Sequence, residues 1–530
     1  MIGDTVLNSV VIDGESLTIE DVVHVARHDA QVEVSREAMR RVARCRETVD
    51  KLIKENHVIY GVTTGFGFLA GVAITPEESK ELQTNLIRSH SSAIGKPLGR
   101  DVVRALMLLR ANTLAKGYSG VRLQTLEALV EMLNKKVHPI IPEKGSVGAS
   151  GDLSALSHMA LVMLGEGQAE FNGHVMEGLE AMKKAGINIL ELEAKEGLAL
   201  NNGTQFMTAL GALTIHDAEQ LIRTAEIVSA MSMEALGAIS DAFDDRIQRV
   251  RAHEGQTLTA RNILVLTAGS DMVMTSSRMM KEVSAKIGAG RLPHDPYTIR
   301  CIPQVFGMAR DTVKHAKKII EVEINSATDN PLIFPEDDEC LSGGNFHGQP
   351  IAAAMDFLSI ALSAVGNMSE RRIARLLDPA MNNGLPAFLI HKDVKRGLHS
   401  GFMASQFTAA ALASENKALA HPASVDSIPT SANFEDFVSM GPTAARKASE
   451  ILRNVQHIIA IELLCAAQGI DLRSPKTLGR GTGKAYELLR EKVPVLKEDR
   501  AIHEDIEQSV ELIRSGSILS YVEQAVGKLF

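Results

Sequence analysis

Gly145-Ser146-Val147-Gly148-Ala149-Ser150-Gly151-Asp152-Leu153 is the stretch on which the reading of this chain turns, because its centre, Ala149-Ser150-Gly151, is a tripeptide able to become its own electrophile. If a tight bend brings the amide nitrogen of Gly151 onto the carbonyl carbon of Ala149, cyclisation and loss of two waters give a five-membered ring. Its exocyclic methylidene derives from the Ser150 side chain. Each residue type has a reason: Gly offers an unhindered nitrogen and tolerates unusual backbone angles, Ser supplies the hydroxyl that leaves, and Ala is small enough for the fold-back. No standard side chain is a good electrophile, so such a ring equips a protein for chemistry otherwise given to a cofactor. The plainer reading is a Gly/Ser loop before a helix, with Asp152 or Ser154 as N-cap for Leu153, Leu156 and Met159.

Other blocks accompany this one along the chain. They are Tyr60 to Gly67 (YGVTTGFG), Gly197 to Gln205 (GLALNNGTQ), Asp295 to Arg300 (DPYTIR), Asn325 to Leu332 (NSATDNPL), Gly343 to Pro350 (GGNFHGQP) and Ala411 to Asn433. With Gly145 to His158 (GSVGASGDLSALSH), the set is similar to the signature of the aromatic amino acid ammonia-lyases and aminomutases, which act on histidine, phenylalanine and tyrosine. The chain is identified as a member of that family and most resembles its histidine enzymes. The resemblance implies no external cofactor, only a 4-methylideneimidazol-5-one (MIO) group formed from Ala149, Ser150 and Gly151. It also implies a fumarase/aspartase-like helical fold assembled as a homotetramer, with active sites completed by several chains.

Bulk properties narrow the classes independently. At 530 residues the chain exceeds one ordinary core. Its 45% hydrophobic and 23% charged residues are the balance of a soluble globular protein. A net charge of −9 argues against a nucleic-acid partner. Cys45, Cys301, Cys340 and Cys465 are scattered without metal-ligand spacing and read as reduced thiols in a cytoplasmic protein. Met1 to Val11 carry Asp4 and lack both a basic and an apolar signal region, so no signal peptide is expected. No membrane span is expected either, since the best apolar run, Ile351 to Val365, is interrupted by Asp356 and reads as a buried bundle helix.

Periodicity predicts a mainly α protein. Met39, Val42, Val49 and Ile53 fall at helical spacing, and Val58 to Gly61 ends that helix as an extended segment. Residues 83–136 are helical by pattern, broken at Gly95-Lys96-Pro97 and Gly117. After about Gly203 the chain turns to long Ala- and Met-rich helices. Leu221, Ala225 and Val228 form one apolar stripe, and Ile451, Leu452, Val455, Ile458, Ile459 and Leu463 a wider one. With 4% aromatic residues and no Trp, this predicts a loop-rich N-terminal domain over 1–205 and a long central helical bundle with a C-terminal helical region over 206–530.

The chemistry assigns roles. Removing ammonia from an α-amino acid requires a leaving group made from the ammonium and a base for the weakly acidic Cβ proton. The match to the family's mobile loop makes Tyr60 the base, provided cations or donors lower its pKa from about 10. Arg300 matches the carboxylate-binding arginine, a residue suited to bidentate contact. Tyr297, one helical turn earlier, matches a second catalytic tyrosine. Asn202 matches the asparagine touching ring and substrate, and Phe346 an aromatic residue beside the ring. His90, in Ser89-His90, matches the histidine enzymes, and Glu415 falls on the glutamate those enzymes set against the imidazole. Two features depart from that pattern: Phe434-Glu435-Asp436-Phe437 stands where Gln-Glu-Asp-His is usual, and His294 where Gln is usual.

The expected activity is therefore elimination of ammonia from L-histidine to give trans-urocanate. The alternatives are a tyrosine or phenylalanine ammonia-lyase or 2,3-aminomutase on the same scaffold, or a non-catalytic helical binding protein keeping the fold.

Overall fold

A computed structural model describes residues 8–284, 294–395 and 397–530. Most of the N-terminal signal-peptide reading falls on residues 1–7, outside that range. Helices hold 60% of the residues and strands 8%, as a mainly α protein requires. The longest are Gln205–Leu236, Gln349–Leu377 and Gly441–Arg473, rich in the Ala, Leu and Met that favour helix.

The chain forms two compact units, each gathered from three stretches. One comprises Met1–His216, Ala316–Asp356 and Pro422–Arg446; the other comprises Asp217–His315, Phe357–His421 and Lys447–Phe530. The first unit thus takes in residues far beyond 205.

In the first unit, strands Ser9–Ile12 and Gln31–Val34 pair in parallel around helix Ile19–His28, whose start is fixed by reciprocal Thr18 and Asp21 hydrogen bonds. Helices Pro76–His90, Arg100–Ala115 and Leu123–Asn134 occupy the region expected to be helical. The expected breaks fall at the strand Ile94–Pro97 and at Gly117, whose φ is +86°. Val58 to Gly61 is not extended. Val62 N and Thr63 N both donate to Ile59 O, and the resulting turn buries Ile59 and presents Tyr60.

The second unit buries its stripe fully: Ile451, Leu452, Val455, Ile458, Ile459 and Leu463 are each at most 3% exposed. Within this apolar packing lies an ion pair between Arg372 and Glu462 at 2.5 Å, both side chains at 0% exposure. Ser232 and Ser369 also donate to Glu462, at 2.6 and 2.5 Å, so the buried charge has the partners it needs.

Two helices are long and apolar enough to cross a membrane, Gln349–Leu377 and Gly441–Arg473, but 67% and 83% of their apolar stretches are buried inside the protein. They are core helices. Burial of the first is one-sided: Ile351, Met355, Leu358 and Leu362 are enclosed, whereas Phe357 and Ile360 on the same helix are 51% and 45% exposed.

Candidate active site

The tripeptide follows one glycine and ends in another, each with a backbone that no other residue would adopt easily. Gly148 has φ +68° and Gly151 φ +74°. A Cβ on Gly151 would lie 2.1 Å from Gly203 O, and one on Gly148 2.3 Å from Ser439 Oγ. At Gly151 backbone thus approaches backbone too closely for a side chain, and Asp152 N donates to Gly203 O at 2.6 Å across the contact.

Asp152 occupies the N-cap position of helix Leu153–Met163 yet makes no cap bond there. Its Oδ2 accepts instead from Phe206 N and Met207 N, at 2.9 and 3.0 Å, capping the helix Gln205–Leu236. Burial pushes its carboxyl up to about 7. Asn202, at the C-cap of helix Glu196–Asn201, donates from Nδ2 to Ser150 O at 2.7 Å. Arg110, fully buried, holds the segment from behind by donating to Asn202 O at 2.8 Å, Gln205 Oε1 at 2.9 Å and Ala199 O. Burial lowers its pKa to about 10, leaving it a cation.

Ser150 faces a cavity of about 890 Å³ whose wall includes Tyr60, His90, Asn202, Phe346 and Glu435. Tyr60 Oη accepts from Gly67 N at 2.8 Å. Burial raises the pKa of its phenol above the ordinary tyrosine value, with the Gly67 N–H opposing. The lowering that a base needs is thus not supplied by these surroundings. His90 Nδ1 lies 2.9 Å from Leu86 O, which can only accept, so Nδ1 carries the proton and Nε2 is left as an acceptor. Burial lowers its pKa, favouring the neutral ring.

Glu435 is the carboxylate that meets Ser150. Its Oε1 accepts from Ser150 Oγ at 2.6 Å, and its Oε2 from Thr430 Oγ1 at 2.7 Å and Ser431 Oγ at 2.9 Å. Glu415, expected against the substrate imidazole, lies in the second unit on helix Met403–Leu419, accepts from Asn454 Nδ2 at 3.0 Å and does not line the cavity. A carboxylate beside an Ala-Ser-Gly bend is the signal that would have picked out Glu435, but it is visible only in three dimensions.

Tyr297 and Arg300 also belong to the second unit and do not line the cavity. They share the short helix Tyr297–Arg300, with the guanidinium 4.7 Å above the phenol ring and Tyr297 70% exposed. Among the described residues no arginine or lysine lines the cavity. His294 is exposed. Phe434 and Phe437 both line the cavity, at 57% and 60% exposure, making its rim more apolar than the usual Gln and His would. The arrangement combines an acceptor imidazole, a carboxylate, an amide donor and a phenol around one serine.

The chain's similarities run over its whole length. The family description "Aromatic amino acid lyase" matches residues 17–491. The histidine ammonia-lyase of Caldanaerobacter subterraneus subsp. tengcongensis is 54% identical over 512 residues, covering 97% of this chain and 98% of that protein. Among solved structures, the tyrosine aminomutase from Streptomyces globisporus superposes with a TM-score of 0.94 at 40% identity, covering 98% of this chain and 100% of that one. The histidine ammonia-lyase from Trypanosoma cruzi does so with a TM-score of 0.88 at 42% identity, covering 97% and 95%.

Proposed function

Since this chain belongs to the aromatic amino acid lyase family, we propose that it eliminates ammonia from L-histidine, giving trans-urocanate. The observation that carries the proposal is the convergence of Tyr60, His90, Asn202 and Glu435 on Ser150 in one cavity, in a chain 54% identical to a histidine ammonia-lyase. Overall the Cα–N and Cβ–H bonds break, a Cα–Cβ double bond forms, and the nitrogen leaves as ammonium.

An MIO group condensed from Ala149, Ser150 and Gly151 would supply the electrophile that side chains lack. The residues fit it: the positive φ of Gly151 pre-bends the chain, Asn202 holds the Ser150 carbonyl, and Asn202 Oδ1 is buried without a partner in the structure. Condensation consumes the Ser150 hydroxyl and releases Glu435 Oε1 from its present bond. Glu435 and the free Nε2 of His90 then offer two acceptors to the two N–H groups of a protonated imidazole. Tyr60 takes the Cβ proton.

Two needs are unmet by one chain: a cation for the substrate carboxylate, and charge that lowers the phenol of Tyr60. We assign both to Arg300 and Tyr297 of a neighbouring copy in a homotetramer, an assignment supported by the exposure of Tyr297. The four cysteines, all free, are in keeping with a cytoplasmic setting.

Phe434 and Phe437 favour a second reading, in which the ring is phenyl or phenol and the product is an acrylate or a β-amino acid. Incubating the purified protein separately with histidine, tyrosine and phenylalanine, and identifying products by mass spectrometry, decides between them. Urocanate from histidine is expected; a β-amino acid, or turnover of tyrosine or phenylalanine alone, overturns the histidine reading.

A further inference from the structure

We infer that His347 is a positioning residue that fixes Glu435 through the backbone of Phe437, an inference that rests on the role given above to Glu435. The segment carrying Glu435 is tied at both ends. Thr430 and Glu435 exchange backbone hydrogen bonds of 3.0 and 3.3 Å, and beyond Phe437 the chain is held by Ser439 Oγ to Gly148 O at 3.0 Å and Met440 N to Val147 O at 2.9 Å. Between these ties Phe434 and Phe437 are more than half exposed, so packing alone holds this part of the chain weakly.

His347 meets the segment there. Its ring stacks on Phe437 with centroids 5.9 Å apart and planes 13° from parallel. Its Nε2 lies 3.3 Å from Phe437 O, and because a carbonyl only accepts, Nε2 carries the proton. The neighbouring Gly348 packs closely, since a Cβ there would lie 2.4 Å from Met207 Sδ and 3.0 Å from Ser439 Oγ. One side chain therefore clamps the carbonyl two residues after Glu435 from the loop that also carries Phe346. Such outer partners orient the groups that touch substrate, and their loss costs on the order of 10- to 100-fold.

The test is a double-mutant cycle of His347→Ala and Glu435→Gln, read both as calorimetric Kd for trans-urocanate and as kcat/KM for histidine, with intact mass recorded for each variant. The inference expects His347→Ala to retain the mass loss of ring formation while weakening urocanate binding roughly tenfold. In the Glu435→Gln background the same change should cost less than about twofold. His347→Gln, whose amide reaches the same carbonyl, should recover most of the loss; His347→Phe, which keeps the stack without the donor, should not, and this pair decides if the Ala variant fails to fold. Binding within about twofold of wild type in both the Ala and Phe variants, or losses that simply multiply in the double variant, overturns the inference. Wild-type turnover of tyrosine or phenylalanine instead of histidine overturns only the histidine reading, because the cycle run with the corresponding acrylate still reads the coupling. Binding of none of the three acrylates overturns both.

Discussion

Ser150 Oγ donates a 2.6 Å hydrogen bond to Oε1 of Glu435, a residue far away in sequence, while the other oxygen of that carboxylate is held by Thr430 and Ser431. The carboxylate is thereby aimed at the Ser150 hydroxyl and is also held independently of it. Replacing Glu435 by Gln keeps shape and one acceptor but removes the charge. The expected result is normal ring formation by intact mass with a fall in kcat/KM for histidine of roughly 10- to 150-fold, the loss of a charge-assisted hydrogen bond of about 1.5 to 3 kcal/mol. Unchanged kcat/KM would remove Glu435 from substrate binding.

Tyr60→Phe should lower kcat by about a hundredfold or more with the fold intact, general-base loss typically costing about 10² to 10⁴. A general base works deprotonated and burial raises the Tyr60 phenol, so the acidic, rising limb of the wild-type profile reports how far neighbouring charge brings it back. Near-normal kcat in a folded variant would move the base to Tyr297.

His90→Leu leaves a bound imidazole without its acceptor, at a cost of roughly 1 to 3 kcal/mol, about 5- to 150-fold in kcat/KM for histidine. Burial lowers the pKa of His90, so the acceptor form persists to lower pH than for an exposed histidine, and its contribution to kcat/KM should fade only below about pH 6.5. Phenylalanine turnover should suffer little. Damage confined to tyrosine turnover would contradict the assignment.

Asp152 links the active-site segment to stability. Its folded-state pKa of about 7 lies above the usual carboxyl value of 3.8, so between those limits the folded protein binds more protons than the unfolded chain. Its contribution therefore falls as pH rises from about 4 to about 7 and is level above that. Asp152→Asn, which mimics the protonated acid, should remove this component. Thermal unfolding across that range should show the wild type losing Tm relative to the variant as pH rises; a constant difference would show that Asp152 titrates normally.

How much of this was legible depended on whether the chemistry was local. Ala149, Ser150, Tyr60, Asn202, His90 and Phe346 lie in short motifs whose spacing carries meaning, and all line one cavity. Glu435 was not legible as the carboxylate beside Ser150. The block ending at Asn433 contains one glutamate, Glu415, and nothing in a linear pattern says that the chain must leave its helix and turn back at Thr430 before a carboxylate meets Ser150. Asp152 misled in the same way, since it stands at a helix start and caps another helix. Arg110 had a signal that went unused: an arginine within the apolar run Ala105 to Ala115 is costly unless buried against fixed acceptors, which here are the carbonyls of Ala199 and Asn202. Tyr297 and Arg300 were recognisable as a motif, yet one chain leaves them outside the cavity.

The central claim is that Ala149-Ser150-Gly151 becomes the electrophile, and the intact mass of the purified protein tests it most directly, with Ser150→Ala as its control. The account predicts a wild type lighter than its encoded mass by two waters, and a Ser150→Ala variant that lacks the methylidene and nearly all turnover of histidine. A wild type at its full encoded mass that nonetheless converts histidine to urocanate would contradict it.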